Sequence, residues 1–146
     1  MKKYDAVIIG FGKGGKTLAG KLAGQGKKVA MIEKDAGMYG GTCINVGCIP
    51  SKSLVRSSGL AFNKKDASPE ERAADYGAAI DEKRRLTSML REKNFKKLDD
   101  LANVDVYNGT ASFVSNTVVE IKTSEETLEI EGEKIFINTG GTPVIP

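Results

Sequence analysis

Lys3-Tyr4-Asp5-Ala6-Val7-Ile8-Ile9-Gly10-Phe11-Gly12-Lys13-Gly14-Gly15 opens the chain with an apolar run that ends in a glycine loop. Lys3 to Ile9 is rich in Val and Ile and alternates little, as expected of a strand buried on both faces of a parallel sheet. The loop reads G-x-G-x-x-G, with its glycines at 10, 12 and 15. Gly10 suits a tight turn, Gly12 lets the backbone approach a pyrophosphate, and Gly15 lets the next helix pack close to the strand. That helix is expected from Lys13 to Gln25, with its N-terminal amides and positive dipole end aimed at phosphate. A second strand, Lys28 to Ile32, runs into Glu33, an acid placed to accept hydrogen bonds from the adenosine ribose hydroxyls. Strand, loop, helix, strand and acid together predict a dinucleotide-binding α/β unit. Lys13 and Lys16 are unusual in such a loop, and each is either a phosphate contact or a solvated surface lysine.

Working outward, the chain of 146 residues fits one domain and carries enough apolar residues for a core. Its formal charge of +3 is spread over interleaved lysines, arginines and acids, so no nucleic-acid footprint is expected. Ala6 to Ile9 is far too short for the apolar core of a signal peptide, and no segment is long enough to span a membrane. A cytoplasmic location is the default expectation.

The two cysteines of the chain fall in Gly40-Gly41-Thr42-Cys43-Ile44-Asn45-Val46-Gly47-Cys48-Ile49-Pro50-Ser51-Lys52. With no histidine and no third cysteine, a metal site is not expected. A structural disulfide closing so short a loop removes little chain entropy, and nothing else suggests a secreted scaffold. A redox pair remains. On a regular helix the two Cα atoms would lie roughly 8 to 9 Å apart, beyond the ~7 Å a disulfide can bridge, so the segment has to depart from helical geometry. Gly47 and Pro50 are residues that permit or impose this. A helix opening at Thr42 or Cys43 would place the thiols near its N-terminus, where the dipole is expected to lower their pKa values. Lys52 is either added positive charge near the same centre or a surface lysine.

Ser57 to Ser68 reads as a polar loop. Ser68-Pro69-Glu70-Glu71 is a capping-box start to a long helix whose apolar stripe includes Ile80, Leu86, Leu90, Phe95 and Leu98, with Gly77 a candidate break. Val104 to Tyr107, Ala111 to Val114, Val118 to Lys122, Leu128 to Ile130 and Lys134 to Asn138 are short β-prone runs. They predict a small antiparallel meander before a final buried strand, which meets the glycine turn Thr139-Gly140-Gly141-Thr142-Pro143 at its carboxyl end, where ligands of open α/β sheets gather.

The glycine loop with Glu33, the segment Gly41-Thr42-Cys43 through Cys48-Ile49-Pro50-Ser51-Lys52, and the closing strand with Thr139-Gly140 resemble the flavin-dependent pyridine nucleotide-disulfide oxidoreductases. That family includes glutathione reductase, lipoamide dehydrogenase and mercuric reductase. The resemblance covers the whole chain. It implies an α/β fold, a Rossmann-like FAD-binding domain with a parallel sheet, helices on both faces and an inserted antiparallel β-meander. By the same resemblance the dinucleotide is FAD, with Gly10, Gly12, Gly14 and Gly15 at the diphosphate and Glu33 at the adenosine ribose. Thr42 and Lys52 would sit near the flavin, Ala111 near the adenine, and Thr139 and Gly140 at the closing turn; Lys13, Lys34 and Gly41 are also expected among the cofactor-binding residues. It further implies hydride transfer from NAD(P)H to FAD and then to a Cys43–Cys48 disulfide, with Cys48 facing the flavin and Cys43 exchanging with substrate.

Gly10 to Thr17, Met38 to Gly41, Arg91-Glu92-Lys93-Asn94-Phe95 and Lys134 to Gly140 look like a bacterial branch tied to reactive-chlorine resistance. Its members are described as reducing hypothiocyanite or copper(II), so the substrate implied is small: a disulfide, hypothiocyanite or a metal ion. Members of the family run to about three times this length, in keeping with several domains of usual size. Residues 1–146 are accordingly expected to be the N-terminal part of the FAD-binding domain. On this reading the nicotinamide-binding and dimerisation domains are absent, the chain alone does not turn over, and the full-length protein is a homodimer. Two rival readings are an NAD-binding dehydrogenase domain, which leaves the cysteine pair unexplained, and a non-catalytic nucleotide-binding thiol sensor.

Overall fold

The computed structural model describes residues 1–142 together with Val144 and Ile145; Pro143 of the closing turn lies outside them. In chain order the elements are β1 (Lys2–Ile9), α1 (Lys13–Gly24), β2 (Val29–Glu33), a short 3₁₀ turn (Ala36–Met38), α2 (Thr42–Asn45), α3 (Cys48–Phe62), α4 (Pro69–Asp99), β3 (Val104–Asn108), β4 (Thr110–Phe113), β5 (Val118–Lys122) and β6 (Thr127–Ile137). The six strands form one sheet in the order β3-β2-β1-β6-β5-β4. β3, β2, β1 and β6 run parallel, and β5 and β4 are added antiparallel.

The alternating sides of β1 explain both halves of the core. Ala6 and Ile8 point toward α1 and α4, where they meet Phe11, Ala19, Ala23, Val29, Met31 and Leu98. Val7 points the other way, into a cluster with Tyr4, Ala30, Ile32, Val119, Ile121 and Ile130. Both Val7 and Ile8 are fully buried, which is why this strand reads as a continuous apolar run. On α1 the small residues Ala19, Gly20 and Ala23 allow α4 to approach, with Leu98 Cδ2 lying 3.8 Å from where a Cβ on Gly20 would stand.

The α/β class, the parallel sheet and the inserted antiparallel strands are as expected. Helical residues, however, enter only the cluster on one face, and the opposite face is closed by side chains of β4, β5 and β6 instead of by helices. β3 also departs from the expected meander. It pairs parallel to β2 along Val29 to Glu33, because α4 carries the chain across the sheet before it. The runs 128–130 and 134–138 are one strand up to Ile137. β6 pairs antiparallel with β5 over residues 127–131 and parallel with β1 from Ile130 to Ile137. Gly132 sits in the middle, where a Cβ would come within 2.6 Å of Val7 Cγ2.

The expected loop 57–68 is helical as far as Phe62, because α3 packs along α4 and Ser58 Oγ donates to the Val55 carbonyl 3.0 Å away. Gly77 does not break α4, which runs unbroken behind a capping box in which Ser68 and Glu71 satisfy each other's backbone amides. No helix among the described residues is long and apolar enough to cross a membrane.

At the amino end of β1 the Tyr4 hydroxyl donates to Asp105 Oδ2 and lies 2.6 Å from the Tyr107 hydroxyl, while Lys2 Nζ reaches Asp105 at 3.3 Å. The hydrogen bond from Tyr4 holds the Asp105 carboxyl below the usual carboxylate range, against burial and with Lys2 assisting. A carboxyl depressed in the folded state contributes stability above its unfolded value of about 3.9, and that contribution fades as pH falls through the folded value. Asp105→Asn is therefore expected to lower the melting temperature near neutrality and to flatten the acid limb of the stability curve. Thermal melts across that pH range check it, and an unaltered acid limb would contradict the assignment.

Candidate functional site

β1 delivers the chain into the glycine loop at a point where side chains cannot follow. Gly10 has φ +104°, and a Cβ there would lie 2.2 Å from the Asn138 carbonyl oxygen at the end of β6. Asn138 also braces the loop from below: its amide nitrogen donates to the Ile9 carbonyl at 2.7 Å, and its Nδ2 donates to the Gly10 carbonyl at 3.0 Å. The same side chain lies 2.9, 3.0 and 2.8 Å from the positions a Cβ would take on Gly12, Gly14 and Gly15. Gly12 is the N-cap of α1, with no side-chain cap and no acidic residue in the first turn. The first-turn amides are consequently left for an anion, with the helix dipole favouring it.

Glu33, at the end of β2, ties the second strand to this loop. Its Oε2 accepts from the Phe11 amide at 2.8 Å, and its Oε1 accepts from the Asp35 amide at 3.2 Å. Phe11 itself is fully buried and meets Tyr39 edge-on with ring centroids 5.1 Å apart; Tyr39 in turn packs on Phe95 at 4.7 Å. The segment after the 3₁₀ turn is laid directly on the loop. The Gly40 amide donates to the Phe11 carbonyl at 3.1 Å, and a Cβ on Gly41, whose φ is +78°, would stand 2.7 Å from Gly12 Cα.

The result is a cleft of about 400 Å³ at the carboxyl ends of β1, β2 and β6. Gly10, Gly12, Glu33, Lys34, Gly41, Thr42, Ala111, Thr139 and Gly140 all line it. Gly14 and Gly15 stand beneath it in the first turn of α1, against Asn138. Lys13, Cys43, Cys48 and Lys52 are not among the lining residues, and Lys52 is exposed on α3. Sequence reasoning missed Asn138, Asp35, Met38 and Thr110, all of which line the cleft. Asn138 had a signal, since it is the polar residue that ends an apolar strand at the ligand-bearing edge of a parallel sheet. Asp35 had a weaker one: its Oδ1 accepts from the Gly37 amide at 2.7 Å, a local turn of the kind aspartate favours.

Thr42 links the cleft to the cysteines, because it lines the first and immediately precedes Cys43. Its carbonyl accepts from both the Val46 amide at 2.9 Å and the Gly47 amide at 2.7 Å. The second of these spans five residues, a wide turn that departs from α geometry as the cysteine spacing requires. Gly47, at φ −105° and ψ −100°, then restarts the chain as α3 with Cys48 first. Both cysteines are thiols here, Cys43 half-buried and Cys48 exposed. The expected lowering of pKa is not what Cys43 shows. The neighbouring Cys48 side chain pushes the thiol up, burial pushes the same way, and Lys13 and Lys16 oppose them. The neighbouring thiol and burial thus outweigh the helix start and the two lysines at Cys43.

A glycine-lined cleft at the carboxyl edge of a parallel sheet, followed one residue on by the first of two cysteines, sets a ligand cleft beside a pair of thiols. Residues 4–146 match the family model described as pyridine nucleotide-disulphide oxidoreductase, and the chain belongs to that family. It is 49% identical over all 146 residues to the probable pyridine nucleotide-disulfide oxidoreductase RclA of Escherichia coli (strain K12), covering 30% of that protein. It is 34% identical over 148 residues to a mercuric reductase of Lysinibacillus sphaericus, with 98% of this chain and 26% of the reductase covered. The solved Cu(II) complex of the HOCl-induced flavoprotein disulfide reductase RclA from Escherichia coli superposes with a TM-score of 0.86 at 48% identity, over 100% of this chain and 30% of that one. The chain thus spans about a third or less of the length of these relatives.

Gly10→Ala is expected to lose at least ~3 kcal/mol of stability, since it adds a positive-φ penalty to a clash with backbone that cannot rotate away. Denaturant unfolding of the purified variant measures it; a loss under ~1 kcal/mol would mean the β1–β6 contact is looser than described.

Proposed function

We propose that the cleft binds FAD and that residues 1–146 are the flavin-binding, redox-active part of an NAD(P)H-dependent disulfide oxidoreductase. The observation that carries this reading is the direct succession of Thr42, in the wall of the cleft, and Cys43, paired with Cys48. The fit to a dinucleotide rests on the open cleft that Gly10, Gly12 and Gly41 line, in a loop packed so closely on Asn138 and on the cysteine segment that it admits no side chain. It also rests on the uncapped start of α1 facing that space. When bound, the flavin supplies a relay that accepts a hydride and hands on two electrons.

The chain's own residues have separable roles. The amides of the α1 first turn neutralise diphosphate charge without needing a counter-ion. Glu33 commits one oxygen to the Phe11 amide and one to the Asp35 amide, yet each carboxylate oxygen keeps a lone pair for a ribose hydroxyl. Gly41 and Thr42 bring the cofactor wall to the thiol pair, and Ala111, Thr139 and Gly140 close the opposite side. Oxidation of the pair forms the Cys43 Sγ–Cys48 Sγ bond, releasing two electrons and the two thiol protons; reduction reverses both. Cys48 would be the thiol that takes electrons from the bound cofactor, and Cys43 the one that exchanges with the acceptor. That acceptor is a small molecule, a disulfide, hypothiocyanite or a metal ion, and the full-length protein works as a homodimer. The identity to RclA, over the whole chain, supports this choice of acceptor class.

In the full-length protein, Glu33→Ala is expected to weaken FAD retention by about tenfold or more, through the loss of both the ribose acceptor and the Phe11 amide partner. Flavin released on dilution, read by its fluorescence, checks this. Cys43→Ser and Cys48→Ser should each keep the flavin spectrum and abolish disulfide reduction from NAD(P)H. Unimpaired turnover in either serine variant would remove the thiol pair from the reaction.

A further inference from the structure

Lys16 takes no part in the cleft, yet it is not a solvated surface lysine. It stands one turn into α1 and crosses to α4, where its Nζ donates to Asn94 Oδ1. Asn94 is oriented by a second hydrogen bond, from its Nδ2 to the Leu90 carbonyl, so its oxygen is the end turned toward the lysine. The amide carbon of Asn94 lies 3.5 Å from the position of a Cβ on Gly40, three residues before Cys43. One turn away on the same helix, Arg91 Nε donates to Asn45 Oδ1 at 2.9 Å, and Asn45 Nδ2 donates to the Tyr39 and Gly41 carbonyls at 3.1 and 3.0 Å. Phe95 packs on Tyr39. Arg91, Asn94 and Phe95 thus form one face of α4 that grips the segment on both sides of Cys43, and Asn94 fastens a cation to that grip.

We infer that Lys16, held in place by Asn94, is a positioning residue whose ammonium steadies the Cys43 thiolate during exchange. The inference rests on the redox role proposed above for the cysteine pair. Lys16 is half-buried with no carboxylate among the groups that act on it: burial lowers its pKa first, the charge of Cys43 raises it, and Lys13 and Lys97 lower it. The groups that act on the Cys43 thiol are Cys48 on α3, which raises its pKa, and Lys13 and Lys16 on α1, which lower it; Arg91 on α4 reaches the same segment at Asn45. Cys48 opposes thiolate formation, so the two lysines are what favour it. Lys13 is exposed at the first position of α1. Lys16 is anchored by a neutral amide, which fixes the ammonium without consuming its charge.

The test is the pH dependence of Cys43 alkylation by iodoacetamide in the reduced full-length protein, followed on the Cys43 peptide in a Cys48→Ser background. Lys16→Met should move the midpoint to higher pH and slow alkylation near neutrality by about threefold. Lys16→Arg keeps the charge and should restore most of the original profile. Asn94→Asp should move the midpoint in the same direction as Lys16→Met, because a carboxylate neutralises the lysine without opening the packing. A Lys16→Met midpoint equal to that of the unaltered residue overturns the inference, as does an equal displacement in Lys16→Arg. The titration needs no turnover, so it is independent of the redox reading, which fails separately if Cys43→Ser still reduces disulfides.

Discussion

Every part of the site depends on the contact between the glycine loop after β1 and the end of β6. Backbone meets backbone there at a separation that admits no side chain: the Asn138 carbonyl occupies the space where Gly10 would carry a Cβ, and the Asn138 side-chain amide fills the space under Gly12, Gly14 and Gly15. Polar groups at such an approach have to be paired, and the hydrogen bonds to the Ile9 and Gly10 carbonyls do so. Because the loop is pinned from below, α1 starts at a fixed place with its amides facing outward. Because Gly41 rests on Gly12, the same constraint passes to the cysteine segment.

The thiol pair is therefore positioned twice. From the cleft side it inherits the geometry of the glycine loop through Gly40 and Gly41. From the other side it is held by α4, whose Arg91, Asn94 and Phe95 reach Asn45, Lys16 and Tyr39 respectively. This leaves the one-turn helix α2 with little freedom, although it is too short to be stable by its own hydrogen bonds. The wide turn at Thr42 is the shape the chain takes when both ends of that short segment are fixed and the thiols have to face one another.

Much of this was legible in the residues, and the failures have distinct causes. The β1–loop–α1–β2–Glu33 unit was readable because each position is constrained by local chemistry: apolar where buried, glycine where backbone approaches, acid where hydroxyl or amide donors converge. The break between the cysteines was readable from the reach of a disulfide. The span of β6 was not, since its polar stretch Glu131-Gly132-Glu133 resembles a turn and becomes strand only because β1 and β5 lie on its two sides. Placing β3 beside β2 likewise required knowing where a helix of 31 residues ends in space. Asn138 and Lys16 act through partners 128 and 78 positions away, a kind of information that spacing along the chain does not hold. The raised Cys43 thiol reflects Cys48 more than the helix start, a competition that only the folded distance decides.

β6 has a consequence for the order of events as the protein is made. The glycine loop is synthesised well before the residue that fixes its shape, since Asn138 is separated from Gly10 by 128 positions. Closing so long a loop is entropically costly and slow compared with forming α1, α3 or α4. On a ribosome, the helical layer and the β1–β2 pair can assemble while the glycine loop still lacks its floor. Among these elements the cleft is thus late to acquire its geometry, and anything that binds in it has to wait for β6.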